Sequence, residues 1–328
     1  MSLKPDDLRS AEGKRSLQRR LLRWYDRRQR DLPWRQGRDP YRVWLSEIML
    51  QQTRVAAVLD HYQRFLRRFP TVEKLASARE ASVLAAWSGL GYYRRARMLH
   101  AAARMIVKEQ AGKFPATAAE LRALPGIGRY TAAALASIAF GQPVAAVDGN
   151  VERVLQRVLG QRLAGQSIWM AAEQLLSRRR PGHFNQAMME LGATVCLPRQ
   201  PKCLLCPIKE MCATRGELEL GQRPPRQQKC EIHYALGRRS GSVFLVKRPK
   251  TATLMPGMWE LPEVVDANRA VEPWLTLRHS ITVTDYAVRV VRSAPPEESV
   301  GQWMPKARIP KLPLTGLARK ILRAANLI

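Results

Sequence analysis

The chain has 328 residues, and its 55 Lys and Arg against 27 Asp and Glu leave a formal excess of +28. A hydrophobic share of 46% and a charged share of 25% are those of a folded globular protein, so the positive charge sits on folded surface and points to a polyanionic partner rather than to a disordered basic tail. The longest uncharged run, 130–147, is broken by Gly141-Gln142-Pro143, and the N-terminus lacks the apolar core of a secretion signal, so no membrane span is expected and the location expected is cytoplasmic.

From 14 to 30 the apolar positions Leu17, Leu21, Leu22 and Tyr25 recur at helical spacing among arginines, which predicts an amphipathic helix with a basic outer face. Asp31-Leu32-Pro33-Trp34 should end it. A second helix is expected over 43–52 and a third over 54–69, where Val55, Val58, Leu59, Tyr62, Phe65, Leu66 and Phe69 trace one stripe before Pro70. Further helical patterns cover 84–87, 94–108, 118–124, 130–140, 151–159 and 169–176. Residues 216–229 then lose periodicity and gain Gly, Gln, Arg and Pro224-Pro225, the composition of a linker. Beyond it come short β-type runs at 242–246 and 286–291, and a last helix at 314–322. The expected architecture is therefore an all-helical domain over 1–215, a linker over 216–230, and a small α+β domain over 231–328.

Four of the five cysteines crowd together as Cys196-x6-Cys203-x2-Cys206-x5-Cys212, a soft all-sulfur set suited to an iron-sulfur cluster or to zinc. Only one short pair occurs where zinc sites usually show two, which favours a 4Fe-4S cluster. Cys230 falls in the linker and is read as an ordinary thiol. Leu124-Pro125-Gly126-Ile127-Gly128 lies between two helical patterns, where Gly126 and Gly128 allow a tight turn that exposes amide N–H groups to a phosphate. The same residues also suit any helix-turn-helix corner. Glu47, within Trp44-Leu45-Ser46-Glu47-Ile48-Met49-Leu50, is a carboxyl in apolar surroundings that would hold a proton near neutral pH; the alternative is a glutamate on a solvated helix face. Asp148, in Val147-Asp148-Gly149-Asn150, is either a second functional carboxylate or the cap of the following helix.

Together these features resemble the helix-hairpin-helix DNA glycosylase superfamily. Leu32-Pro33-Trp34-Arg35, Glu47 to Thr53, Gly89-Leu90-Gly91-Tyr92-Tyr93 and Asn185 to Gly192 are similar to the adenine DNA glycosylases of the MutY type, over about 30–212. The resemblance implies a monomeric, monofunctional base excision repair enzyme with a 4Fe-4S cluster on Cys196, Cys203, Cys206 and Cys212. It would bind double-stranded DNA, flip out adenine paired with 8-oxoguanine or guanine, and, in a bacterium, associate with the nucleoid. Glu47 would act as general acid, Asp148 would stabilise the oxocarbenium sugar in a retaining-type mechanism, and Tyr130, in place of a nucleophilic lysine, would position Asp148. Trp34, Arg35 and Glu190 would line the adenine pocket, Gln52 and Tyr92 would wedge into the base stack, and the hairpin glycines Gly126 and Gly128 would hold the backbone. Tyr92 and Tyr93 suit core aromatics equally well.

Pro256 to Pro262 look like the family's Nudix-like region, without its glutamate-rich hydrolase box. Where the family carries a Phe-Ser-His segment that recognises 8-oxoguanine, this chain has Ile281-Thr282-Val283, so Thr282 alone would keep the hydroxyl. Two rivals remain. One is a pyrimidine mismatch glycosylase of the same superfamily, against which Glu47 and the C-terminal domain count. The other is a non-catalytic DNA damage-binding protein.

Overall fold

The computed structural model describes Leu8 and residues 10–216, 228–264, 272–281 and 284–328. Helix α1 (Ala11–Arg28) is capped by Ser10, whose hydroxyl accepts from the Gly13 amide at 3.0 Å, and it buries Leu17, Leu21, Leu22 and Tyr25 as the periodicity predicts. A 3-10 turn, Pro33–Arg35, follows. Helix α2 (Pro40–Leu50) starts on Asp39, which accepts from the Arg42 amide, with Pro40 at the first position where its missing N–H is no loss. It is buried on nearly every side. Next come α3 (Val55–Arg68), α4 (Val72–Ala76), α5 (Glu80–Trp87), α6 (Tyr93–Gln110) and α7 (Ala118–Leu121). A reciprocal capping box between Thr117 and Glu120 starts α7. The chain continues into α8 (Arg129–Phe140), α9 (Gly149–Leu159), α10 (Gln166–Leu175) and α11 (Pro181–Thr194).

By packing, the chain divides into two compact units: 1–62, 71–73 and 101–221 form one, and 63–70, 74–100 and 222–328 form the other. The first is helical, and its core joins Leu17, Leu21 and Tyr25 of α1 to Val154, Leu155 and Val158 of α9 and to Phe184, Met188 and Leu191 of α11. Gly182, in the first turn of α11, lies so close to α8 that a Cβ there would meet the Ser137 carbonyl at 2.5 Å.

The second unit combines α5 and the first half of α6 with β1 (Gln228–Ala235), β2 (Arg238–Arg239), β3 (Ser242–Lys247), β4 (Trp259–Glu260), β5 (Leu275–Ile281), β6 (Thr284–Val291), β7 (Gly301–Pro305) and α12 (Gly316–Ala324). One sheet has the order β1-β6-β5, with β1 parallel and β5 antiparallel to β6. In the other, β3 is central and pairs antiparallel with β2, β4 and β7. Their core joins Val243, Leu245, Val288 and Val290 to Leu317, Ile321 and Leu322 of α12. The single boundary expected near 216 is thus not the division that packing makes, because 63–70 and 74–100 pack with the C-terminal residues. Tyr93 carries part of that packing: it is 2% exposed and donates to the Leu314 carbonyl at 2.8 Å. Most of the expected linker lies outside the described residues, but 228–230 are strand, so Cys230 is an exposed residue of β1. No helix among the described residues is long and apolar enough to cross a membrane.

Candidate active site

A pocket of about 690 Å³ in the helical unit collects Trp34, Arg35, Glu47, Gln52, Tyr130, Asp148 and Glu190, residues up to 156 positions apart in the chain. Glu47 sits in the last turns of α2 and is 8% exposed, which excludes the solvated-face alternative. Tyr130, in the first turn of α8, donates its hydroxyl proton to Glu47 Oε2 at 2.7 Å, and the Tyr130 hydroxyl oxygen also lies 3.1 Å from Met189 Sδ. In this structure that hydroxyl proton is directed to Glu47 and not to Asp148. Burial pushes the Glu47 carboxyl up to about 7; the Tyr130 hydrogen bond and Arg35 pull against this, and the negative charge of Asp148 adds to it. Burial likewise raises the Tyr130 phenol well above its ordinary value, and Glu47 and Asp148 raise it further. The outcome is a phenol that stays a donor and a carboxyl poised between its acid and base forms at neutral pH.

Asp148 is the N-cap of α9. Its Oδ1 accepts from the amides of Asn150 (3.0 Å) and Val151 (2.8 Å), and its Oδ2 from the Asn150 side chain (3.0 Å). Capping and lining the pocket are thus compatible, and the three donors fix the direction of the carboxylate. Glu190, on α11, is 1% exposed. Burial alone would raise its pKa, but Arg30 (2.8 Å to each oxygen) and Arg35 (2.8 Å) outweigh it and hold the carboxyl at about 2. Arg30 is the site residue that sequence reasoning missed. It sits in a run of arginines on the far side of 160 residues from its partner, and nothing local distinguishes it. Trp34 is buried edge-on against Tyr62, with ring centres 5.2 Å apart.

Gln52 is exposed, and its φ of 54° lies in the left-handed region that non-glycine residues seldom occupy. Tyr92 shares that feature at φ 46° and is 46% exposed, so unlike its neighbour Tyr93 it is not a core aromatic. It belongs to the other unit, where it lines a pocket of about 660 Å³ together with His279 and Ser280 of β5. Thr282 lies outside the described residues. Gly126 takes the left-handed φ of 75° that the hairpin turn between α7 and α8 demands, and Gly128 is the N-cap of α8 with open space where a side chain would be.

Cys196, Cys203, Cys206 and Cys212 line one small cavity beside Val154, Val158 and Leu191. Among the described residues no three His, Cys, Asp or Glu side chains are grouped as ligands of one metal ion. Burial pushes the Cys206 thiol up to about 12, and the other three sulfurs add to this. Two arginines of α9 tie the loop down. Arg157 donates to Cys196 Sγ (3.3 Å) and to the Leu197 and Pro198 carbonyls, while Arg153 donates to the Cys196 carbonyl (2.9 Å) and to Asn150 Oδ1 (2.8 Å).

Residues 45–175 match the model of the HhH-GPD superfamily base excision DNA repair proteins. The chain is 39% identical over 310 residues to the adenine DNA glycosylase of Homo sapiens, covering 74% of this chain and 56% of that protein. It is 40% identical over 311 residues to the adenine DNA glycosylase of Arabidopsis thaliana, covering 79% of this chain and 49% of that one. It thus spans about half the length of these relatives. Among solved structures, a thermostable thymine-DNA glycosylase aligns with a TM-score of 0.58 at 30% identity, over 62% of this chain and 96% of that one. An endonuclease III in a non-covalent DNA complex aligns with a TM-score of 0.55 at 22% identity, over 63% and 96%, a likeness of fold.

Proposed function

Because the chain belongs to the HhH-GPD superfamily of base excision DNA repair proteins, we propose that it is a DNA glycosylase that flips adenine out of a mispair with 8-oxoguanine or guanine and hydrolyses its bond to the sugar. The observation that carries this reading is Glu47: a buried carboxyl near pKa 7, held by Tyr130 and facing Asp148 in one pocket. Glu47 gives its proton to N7 of the adenine ring, and the electron pair of the C1′–N9 bond passes to the departing base. Positive charge then develops on the sugar, where Asp148, fixed by its three donors, lies ready to stabilise it or to bond with it transiently. Water adds its hydroxyl at C1′ and its proton restores Glu47. Trp34, Arg35 and Glu190 hold the base, and Gln52 and Tyr92 enter the stack it leaves. Gly126 and Gly128 open the hairpin to a backbone phosphate.

The four cysteines supply only sulfur, and burial of Cys206 disfavours its thiolate unless a cation lies beside it, which supports a 4Fe-4S cluster on Cys196, Cys203, Cys206 and Cys212. When bound, such a cluster would brace this loop and with it the end of α11. Two sheets packed with a helix support a Nudix-like C-terminal domain, and His279, Ser280 and Tyr92 around one pocket support its reading of the base opposite adenine. The thymine-DNA glycosylase likeness favours one second reading, pyrimidine removal from a mismatch with guanine. Single-turnover base release from otherwise identical duplexes tests both: adenine should leave fastest opposite 8-oxoguanine. Release of thymine opposite guanine with no adenine release would overturn the proposal. Borohydride should trap little enzyme on DNA, since Tyr130 stands where an amine nucleophile would be needed.

A further inference from the structure

Trp34, Arg35 and Gln186 are walls of a second pocket in the helical unit, of about 350 Å³, large enough for a small ligand. Its lining is strongly basic, with Arg35, Arg38, Arg178, Arg179, Arg180 and His183 converging on it. Two of these charges are already matched, Arg35 by Glu190 and Arg180 by Asp26. Among the described residues no acidic side chain pairs with Arg38, Arg178 or Arg179. Neutral burial is no explanation either, since all three are exposed at the rim while the pocket floor is the first turn of α11 and the last turn of α8.

That first turn of α11 adds donors. Arg180 occupies the N-cap without a side-chain cap, Pro181 has no N–H, and Phe184 already donates to the Arg180 carbonyl, so the Gly182 and His183 amides stand at the positive end of a 14-residue helix. The positive potential registers on His183 itself, whose pKa is lowered by burial and then by Arg180 and Arg38, with only Asp26 acting against them. Guanidinium groups around an uncapped helix start match the charge and the donor geometry of phosphoryl oxygens.

We propose that this pocket binds a small phosphorylated anion of the pyrophosphate or nucleoside phosphate class, at a site beside the catalytic pocket that shares Trp34, Arg35 and Gln186 with it. Binding is read directly and does not depend on the reaction assigned to the neighbouring pocket. Inorganic pyrophosphate is titrated calorimetrically into the full chain at fixed ionic strength, with and without bound duplex DNA. One saturable site is expected in both cases, weakened at least tenfold in Arg178→Ala/Arg179→Ala and in Arg38→Ala. Arg19→Ala/Arg20→Ala, which removes two exposed charges from α1, should leave it unchanged. Proton NMR of the His183 ring should show its pKa rising on saturation, because a nearby anion favours the imidazolium. If the alanine variants melt early, Arg178→Gln/Arg179→Gln takes their place. No saturable binding, equal loss in the α1 variant, an unmoved His183, or displacement of pyrophosphate by the duplex would each overturn the proposal, the last by making the pocket part of the DNA track.

Discussion

Replacing Glu47 with Gln should abolish the chemistry while making the protein more stable. In the fold the carboxyl titrates near 7 instead of 4.5. At about 1.4 kcal/mol for each tenfold change in a protonation equilibrium, carrying the charge in this pocket costs on the order of 3 kcal/mol. Between about pH 4.5 and 7 the folded protein keeps a proton that the unfolded chain has released, so stability falls as pH rises through that window and levels off above it. Gln has nearly the same shape, still accepts from Tyr130, and never carries the charge. At about 2 to 4 °C per kcal/mol, the variant should melt on the order of 5 to 10 °C above the native protein at pH 8 and close to it at pH 4.5. Thermal scans across pH, paired with single-turnover base release, provide the assay. Release should drop by at least about a hundredfold. Parallel pH profiles of melting temperature in the two proteins would refute the buried-charge argument, and undiminished release would remove Glu47 as the acid.

Native base release should decline as pH rises through about 7, following the loss of the Glu47 proton. Tyr130→Phe deletes the hydrogen bond that favours the ionised carboxyl and should move that decline to higher pH; a profile that stays put would mean that Tyr130 does not govern Glu47. Asp148→Asn removes a charge that raises the Glu47 pKa, so alongside a severe loss of rate the pH dependence of melting should shift downward, which thermal scans from pH 5 to 8 detect. Arg35→Ala leaves Glu190, 1% exposed, with Arg30 as its remaining ion-pair partner, and should cost on the order of 3 kcal/mol in chemical denaturation at pH 7. The stability that Glu190 draws from its arginines is fully present above about pH 4.5 and is lost on acidification toward 2, so the native and variant proteins should converge in acid.

The helices that form amphipathic stripes were legible from periodicity: α1, α3 and α9 fall within a few residues of their expected bounds. Helix α11 was not, because Phe184, Asn185, Ala187, Met188, Glu190 and Leu191 are buried around most of its circumference, and a helix buried all round shows no stripe. The buried carboxyl of Glu47 was marked by its apolar neighbours along α2, but the partner of Tyr130 was not, since which oxygen a phenol reaches depends on how two helices pack. The same holds for Arg30 and Glu190, joined across 160 positions. The division into units was hidden for a related reason: the composition of 216–229 signals a flexible connection locally, whereas the association of 74–100 with the C-terminal residues is made by contacts such as Tyr93 to Leu314.

Asp148 accepts the opening hydrogen bonds of α9, and asparagine caps a helix about as well as aspartate. A single-base codon change from Asp to Asn would therefore keep both backbone caps of the helix, losing the bond from the Asn150 side chain, while removing the carboxylate. Folding would exert little purifying pressure at this position, so under the proposed function it is selection on the reaction, more than on the fold, that would keep the carboxylate there.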